Sequence, residues 1–182
     1  MSGKTSYRME MLPSDFRPKE SDVDLTVIRV EAPYAELAKF MHTLVGAQWR
    51  WGGRQGWGES EWKALVGRSG YEMLLGLHKG TPIGYAEMFV EDGGGVQIGT
   101  MGLAPHFIGK GLGGPFLTAV VRHAWTLTSS RVWLSTCSHD HPIAKSNYEA
   151  RGFKVFEVVE GDENPSNPSF WDLVAAGDGV RG

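Results

Sequence analysis

The sequence predicts an α+β fold, with six to seven strands and about four helices arranged around an antiparallel meander. Three observations predict it. Tyr71 to His78 and Pro82 to Val90 read as strands joined by Lys79-Gly80-Thr81, and the turn Asp92-Gly93-Gly94-Gly95 feeds a third strand from Val96 to about Leu103. Helical apolar spacing precedes the meander at Leu37, Phe40, Met41, Leu44 and Val45, and follows it at Leu117, Val120, Val121, Ala124 and Trp125. A chain of 182 residues, 41% hydrophobic and 21% charged, buries one good core and is most simply a single domain over residues 23–176.

Residues 1–22 read as a polar N-terminal arm, and Val23, Leu25, Val27 and Val30 then alternate with polar neighbours as a half-buried strand. Gly46 ends the first helix, and a short second helix covers Ser60 to Val66. Beyond the meander, Pro115 opens a helix running to Thr128, followed by an apolar strand from Arg131 to Cys137. Asp140 offers a cap, Pro142 a first turn and Gly152 a stop for a fourth helix. Phe153 starts another strand, Ser169 to Val174 a last one, and residues 177–182 read as a frayed tail.

Composition excludes several classes. A net charge of −3 without a basic run gives no support for nucleic-acid binding. The single cysteine, Cys137, rules out an internal disulfide and fits a reducing compartment; at the end of an apolar strand it reads as a buried structural thiol. No apolar run approaches the roughly 20 residues that span a membrane, and the polar start lacks a signal-peptide core, so the expectation is a cytoplasmic enzyme. No metal site is expected.

Met101 to Leu117 carries the strongest chemical signal. Gly109, Gly111, Gly113 and Gly114 let the backbone turn tightly, and the helix start beyond them offers unpaired N–H groups and a positive dipole end. That suits a pyrophosphate, with a plain structural turn as the alternative. Gly109, Gly111 and Gly114 also fit a dinucleotide fingerprint, but about a hundred residues precede the loop and the next strand ends without a ribose-binding acid. A phosphate-loop reading fails because Lys110 is not followed by Ser or Thr.

Together with Asp140 to Phe153, this loop resembles the GNAT superfamily of acyl-coenzyme A-dependent N-acyltransferases. In that family a loop Gln/Arg-x-x-Gly-x-Gly/Ala precedes a helix, and a second motif runs roughly Asn-Pro-x-Ala-x-x-x-Tyr-Glu-x-x-Gly-Phe. Pro142, Ala144, Tyr148, Glu149, Gly152 and Phe153 match the second motif position by position. The resemblance is specific over about 96–156 and weaker over about 23–174. Two residues depart from it: Ile108 stands where the loop usually has Gln or Arg, and His141 where Asn is common.

The resemblance implies a mixed, mostly antiparallel sheet flanked by the helices, and transfer of an acetyl group from acetyl-CoA to a primary amine through a tetrahedral intermediate. The amine is expected to belong to a small molecule. Acylation of a protein or peptide, or a non-catalytic acyl-CoA-binding module, are the alternatives, and a homodimer is among the assemblies the resemblance allows. The pantetheine arm is expected along Met101 to Leu103, with Leu103 N–H as oxyanion donor. The phosphates are expected over Ile108, Gly109, Lys110, Gly111, Leu112, Gly113 and Gly114, with Lys145 and Arg122 near the adenosine phosphate. Tyr148 matches the tyrosine that donates to the departing sulfur.

An alkylamine of pKa about 10.4 is mostly protonated at pH 7, and removing that proton costs roughly 4 to 5 kcal/mol, so a base or a path to one is expected. Where many relatives carry a glutamate, this chain has Gln97. Glu87, a charged residue inside an apolar strand, is the preferred substitute, ahead of His106, Asp140 and His141. The alternative for Glu87 is an edge residue or a buried ion-pair partner. The segment Gln48 to Trp62 holds four of the seven tryptophans in fifteen residues and corresponds to the family's acceptor side. Trp49, Trp51 and Trp57 are candidate walls and Glu59 or Glu61 a candidate anion for the acceptor, the alternative being that the tryptophans cover the core or a dimer contact.

Overall fold

The structure is a computed structural model, and it describes residues 4–49 and 51–161. A seven-stranded sheet runs in the order β2-β3-β4-β5-β6-β1-β7. Its strands are β1 (Lys4–Met11), β2 (Thr26–Arg29), β3 (Tyr71–His78), β4 (Thr81–Val90), β5 (Val96–Leu103), β6 (Val132–Cys137) and β7 (Lys154–Gly161). The helices are α1 (Ala35–Gly46), α2 (Glu59–Val66), α3 (Gly113–Leu127) and α4 (Ala144–Arg151). Every pairing is antiparallel except β5 with β6.

The meander, α1 and α3 form where the periodicity places them, and α2 forms within a residue of its expected span. Helix α4 stops at Gly152 as expected but starts only at Ala144, leaving Pro142 outside the helix. The N-terminal arm departs from expectation: Lys4–Met11 is an inner strand, paired with β6 on one side and β7 on the other. Its signal is the alternation Tyr7, Met9, Met11, of which both methionines are fully buried. Polar residues at every other position, on the opposite face, masked it. The strand expected from Val23 shortens to Thr26–Arg29 at the sheet edge. The expected strand Ser169 to Val174 and tail 177–182 lie outside the described residues.

Helix α3 covers one sheet face, where Phe116, Leu117, Val120, Val121 and Ala124 pack on Met9, Met88, Ile98 and Leu134. The other face packs Met73, Tyr85 and Phe89 against Met41 and Val45 of α1. Helix α4 ends at Gly152, whose φ of +110° and position against Asp15 leave no room for a side chain, since a Cβ there would lie 1.9 Å from the Asp15 carbonyl oxygen. The motif glycine thus lets the β1–β2 connection cross the end of α4.

Two features open the sheet at its centre. The β4–β5 register shifts between Glu87 and Met88, paired with Thr100 and Ile98, which leaves Gly99 as an extra residue on β5. The parallel pairing of β5 with β6 covers only Val96–Ile98 against Val132–Leu134. Past that point the strands part. Gly99 to Leu103 keep β4 on one side, and on the other they face a cleft toward Ser135 to Cys137.

Candidate active site

The cleft is the mouth of a cavity of about 600 Å³. Its walls bring together most of the residues singled out by sequence: Met101 and Leu103 on β5, Ile108, Gly109, Gly111, Gly113 and Gly114 in the glycine loop, and Tyr148 on α4. Gly109 and Gly111 adopt φ of +78° and +76°, the left-handed conformation that glycine takes without strain. Helix α3 starts two residues before Pro115, with Leu112 as an N-cap that provides no side-chain hydrogen bond, so its first N–H groups stay available. Leu112 itself is buried in the protein and does not line the cavity.

Not every loop candidate faces inward. Lys110 turns away, its Nζ 3.2 Å from His106 Nε2 and 5.2 Å from the Phe107 ring centre. Lys145 pairs with Glu149 and lies over the Tyr7 ring, and Arg122 pairs with Glu20. None of the three lines the cavity, and neither does His106.

Tyr148 is set by the motif. Burial pushes its phenol well above the ordinary tyrosine range, and the nearby Asp140 carboxylate adds to the shift. It therefore stays protonated across the physiological range and acts as a hydrogen-bond donor. Asp140 is the only carboxylate on the cavity wall among the described residues. It does not cap α4, as the sequence expects, because α4 begins at Ala144 with Ile143 as N-cap. Instead its Oδ2 accepts from Thr136 Oγ1 at 2.6 Å and from the Cys137 N–H at 3.0 Å, while Oδ1 accepts from Trp51 Nε1 at 3.2 Å. His141 fixes the same turn, its Nδ1 accepting from the Ile143 N–H at 3.2 Å. Cys137 is not the fully buried thiol that the sequence suggests: it lines the cavity, half-buried beside Asp140, and burial first, then that charge, push its thiol pKa up.

The tryptophan segment divides. Trp49 and Trp51 line the cavity, and Trp49 meets the His141 ring edge-on at 5.1 Å. Trp57 does not reach the cavity. It packs on Trp62, itself core, with Arg54 stacked over both rings at 5.3 and 5.5 Å. Glu59 is exposed and pairs with Lys63, and Glu61 Oε2 accepts from the Gly58 N–H at 3.0 Å. Neither faces the cleft.

Glu87 is fully buried and absent from the cavity wall. Arg54 Nη1 donates to its Oε2 at 2.7 Å, Thr100 Oγ1 donates to the same oxygen at 2.9 Å, and Tyr71 donates to Oε1 at 2.9 Å. The preferred base is thus the ion-pair partner of Arg54, one hydroxyl away from the cleft that Thr100 borders. Arg54 escaped sequence reasoning, because a lone arginine among tryptophans and glycines gives no signal of a partner on β4. The network continues inward: the Thr100 and Tyr85 hydroxyls are 3.1 Å apart, and Tyr85 lies 2.9 Å from His42 Nδ1. Thr100 Oγ1 thus lies within hydrogen-bond reach of both the Glu87 carboxylate and the Tyr85 hydroxyl, and Tyr85 joins this network to His42 Nδ1. That leaves His42 Nε2 buried without a partner. Burial first, and the Arg54 charge second, lower the His42 pKa to about 4.

The comparisons with known proteins agree with this geometry. Among curated proteins, none matches the chain in sequence. The fold is shared with a GCN5-related N-acetyltransferase from Kribbella flavida, at 15% identity and a TM-score of 0.62 over 90% of this chain and 61% of that one. It is also shared with a GCN5-related N-acetyltransferase from Sphaerobacter thermophilus, at 17% identity and a TM-score of 0.67 over 92% of this chain and 56% of that one. The chain therefore spans less than two thirds of either protein. An aminoglycoside acetyltransferase from an uncultured soil metagenomic sample, solved in complex with sisomicin, aligns at 11% identity and a TM-score of 0.57 over 70% of this chain and 88% of that one. In sequence, residues 38–153 match the acetyltransferase (GNAT) family, and that span holds the meander, the glycine loop and the Tyr148 motif. The chain belongs to the acetyltransferase (GNAT) family.

Proposed function

We propose that this chain transfers an acetyl group from acetyl-CoA to a primary amine of a small molecule. One observation carries the reading: the parted β5–β6 edge, the glycine loop before α3 and the Tyr148 hydroxyl line a single cavity. The residues present fit a coenzyme A thioester, with a backbone edge for an amide-bearing arm at one end and uncapped N–H groups for phosphate at the other. Acetyl-CoA supplies the activated acetyl group. Those backbone N–H groups of Gly99 to Leu103 that face the cleft orient the thioester, with that of Leu103 as the donor to its oxygen. Tyr148 donates a hydrogen bond to the sulfur as it departs. A phenol is a weaker acid than a thiol, and burial weakens it further, so the bond stabilises thiolate without full proton transfer.

On the acceptor side, Trp49 and Trp51 form an aromatic wall, and Asp140 attracts the ammonium and relays its proton to solvent, so that the neutral amine attacks the thioester carbonyl. The proton released as the amide forms passes to the departing thiolate. The shared fold of the metagenomic aminoglycoside acetyltransferase is in keeping with a small-molecule acceptor. Glu87 is a positioning residue in this reading, holding Thr100 at the cleft and Arg54 in the tryptophan loop. Thiol release from acetyl-CoA, followed with a panel of small amines and peptides, tests the proposal. Turnover of small amines that drops with Asp140→Asn supports it. Tight binding of acetyl-CoA with no acceptor turned over replaces it with a non-catalytic module.

A further inference from the structure

Ile108 gives the glycine loop no polar side chain where relatives have one, and the cations near it in sequence are engaged elsewhere. Two others are not. Lys19 and Arg151 both line the cavity and converge on Gly114 in the first turn of α3, where a Cβ would lie 2.7 Å from Lys19 Cδ and 3.0 Å from Arg151 Nη1. Among the described residues neither side chain has an ion pair or a hydrogen bond, and Arg151 Nε is buried without a partner. Two like charges beside the positive end of a fifteen-residue helix repel one another unless an anion lies between them.

Lys19 is held there by the fold. Its N–H donates to the buried Thr118 Oγ1 of α3 at 2.9 Å, the Arg17 N–H donates to the Arg151 carbonyl at 2.9 Å, and Glu20 pairs with Arg122. Three ties within four residues fix the β1–β2 connection over the loop. Arg151 closes α4 immediately before Gly152, so the glycine that admits this connection also brings the two cations together.

We propose that Lys19 and Arg151 form a side-chain clamp on the 5′-diphosphate of coenzyme A, taking the place of the polar residue that Ile108 lacks. The clamp rests on the coenzyme A reading above. Lysine contributes a mobile point charge and arginine a planar fork, a pairing suited to adjacent phosphates. Sequence gave no hint of Lys19, which lies about 90 residues upstream of the loop in a segment that reads as solvent-exposed arm.

Calorimetric titration of wild type, Lys19→Ala, Lys19→Arg and Arg151→Gln with coenzyme A and with dephospho-coenzyme A tests it. Lys19→Ala and Arg151→Gln should each weaken both ligands by the same factor, roughly tenfold, the loss of one charge-assisted contact. Lys19→Arg should stay within about threefold of wild type, and the salt dependence of binding should flatten in the alanine variant. Without ligand, Lys19→Ala should melt at or above the wild-type temperature, because it relieves repulsion. Unchanged affinities in both neutral variants overturn the clamp while leaving the coenzyme A reading intact. A loss confined to coenzyme A, sparing the dephospho form, overturns it by moving the cations to the 3′-phosphate. If wild type binds neither ligand, the coenzyme A reading fails, and the clamp with it.

Discussion

His42 shows how burial sets chemistry at a single residue. The unfolded chain protonates it near the ordinary 6.5, the folded protein only near 4, so between those values the unfolded state holds more protons. Its contribution to stability is complete above pH 6.5 and is lost as pH falls toward 4, on the order of 3 kcal/mol. Urea unfolding at pH 7 and pH 4.5 should show this decline, and His42→Gln should flatten it. Tyr148 is the complementary case, a hydroxyl kept protonated. Tyr148→Phe should lower kcat by roughly ten- to a hundredfold with KM little changed, measured by thiol release. Gly152→Ala meets the Asp15 carbonyl at once and should destabilise by more than about 2 kcal/mol in a denaturant titration. Tyr148 and Gly152 were legible because a motif fixes their spacing. Asp140 was legible only as a residue near the motif, since two of its three donors come from the end of β6 and the third from the tryptophan loop.

At the scale of elements, the Arg54–Glu87 pair ties the connection between α1 and α2 to β4. Removing one partner strands the other: Arg54→Ala leaves a carboxylate in the core and should cost about 3 to 5 kcal/mol, seen as a fall in Tm of roughly 10 °C. Glu87→Gln should cost less, since its single amide oxygen can still accept from Arg54 and Thr100 at the Oε2 position, while the amide NH2 at the Oε1 position donates to the Tyr71 hydroxyl instead of accepting from it. The two variants separate a positioning carboxylate from a base: a base predicts that Glu87→Gln abolishes turnover even where the fold is intact. The meander and helices were readable because periods of 2 and 3.6 survive in single segments. Glu87 was noticed for its charge inside an apolar strand, but its partner lies 33 residues away in a loop without periodicity. The tryptophans split by the same logic, since composition reports a cluster and only the fold decides which rings meet the cleft.

The molecule as a whole is built around an interruption. Six strand pairings hold the sheet, but the parallel one at its centre lasts three residues before β5 and β6 separate. Neither the interruption nor the insertion of β1 between β6 and β7 could be read from sequence, because both depend on which strands meet across long separations. They have a signature in time. Amides in the middle of a seven-stranded sheet ordinarily rank among the slowest to exchange with deuterium, opening only with global unfolding. Those of Gly99 to Leu103 that face the cleft should exchange orders of magnitude faster than their neighbours on β4, giving the protein a labile line through its most protected layer.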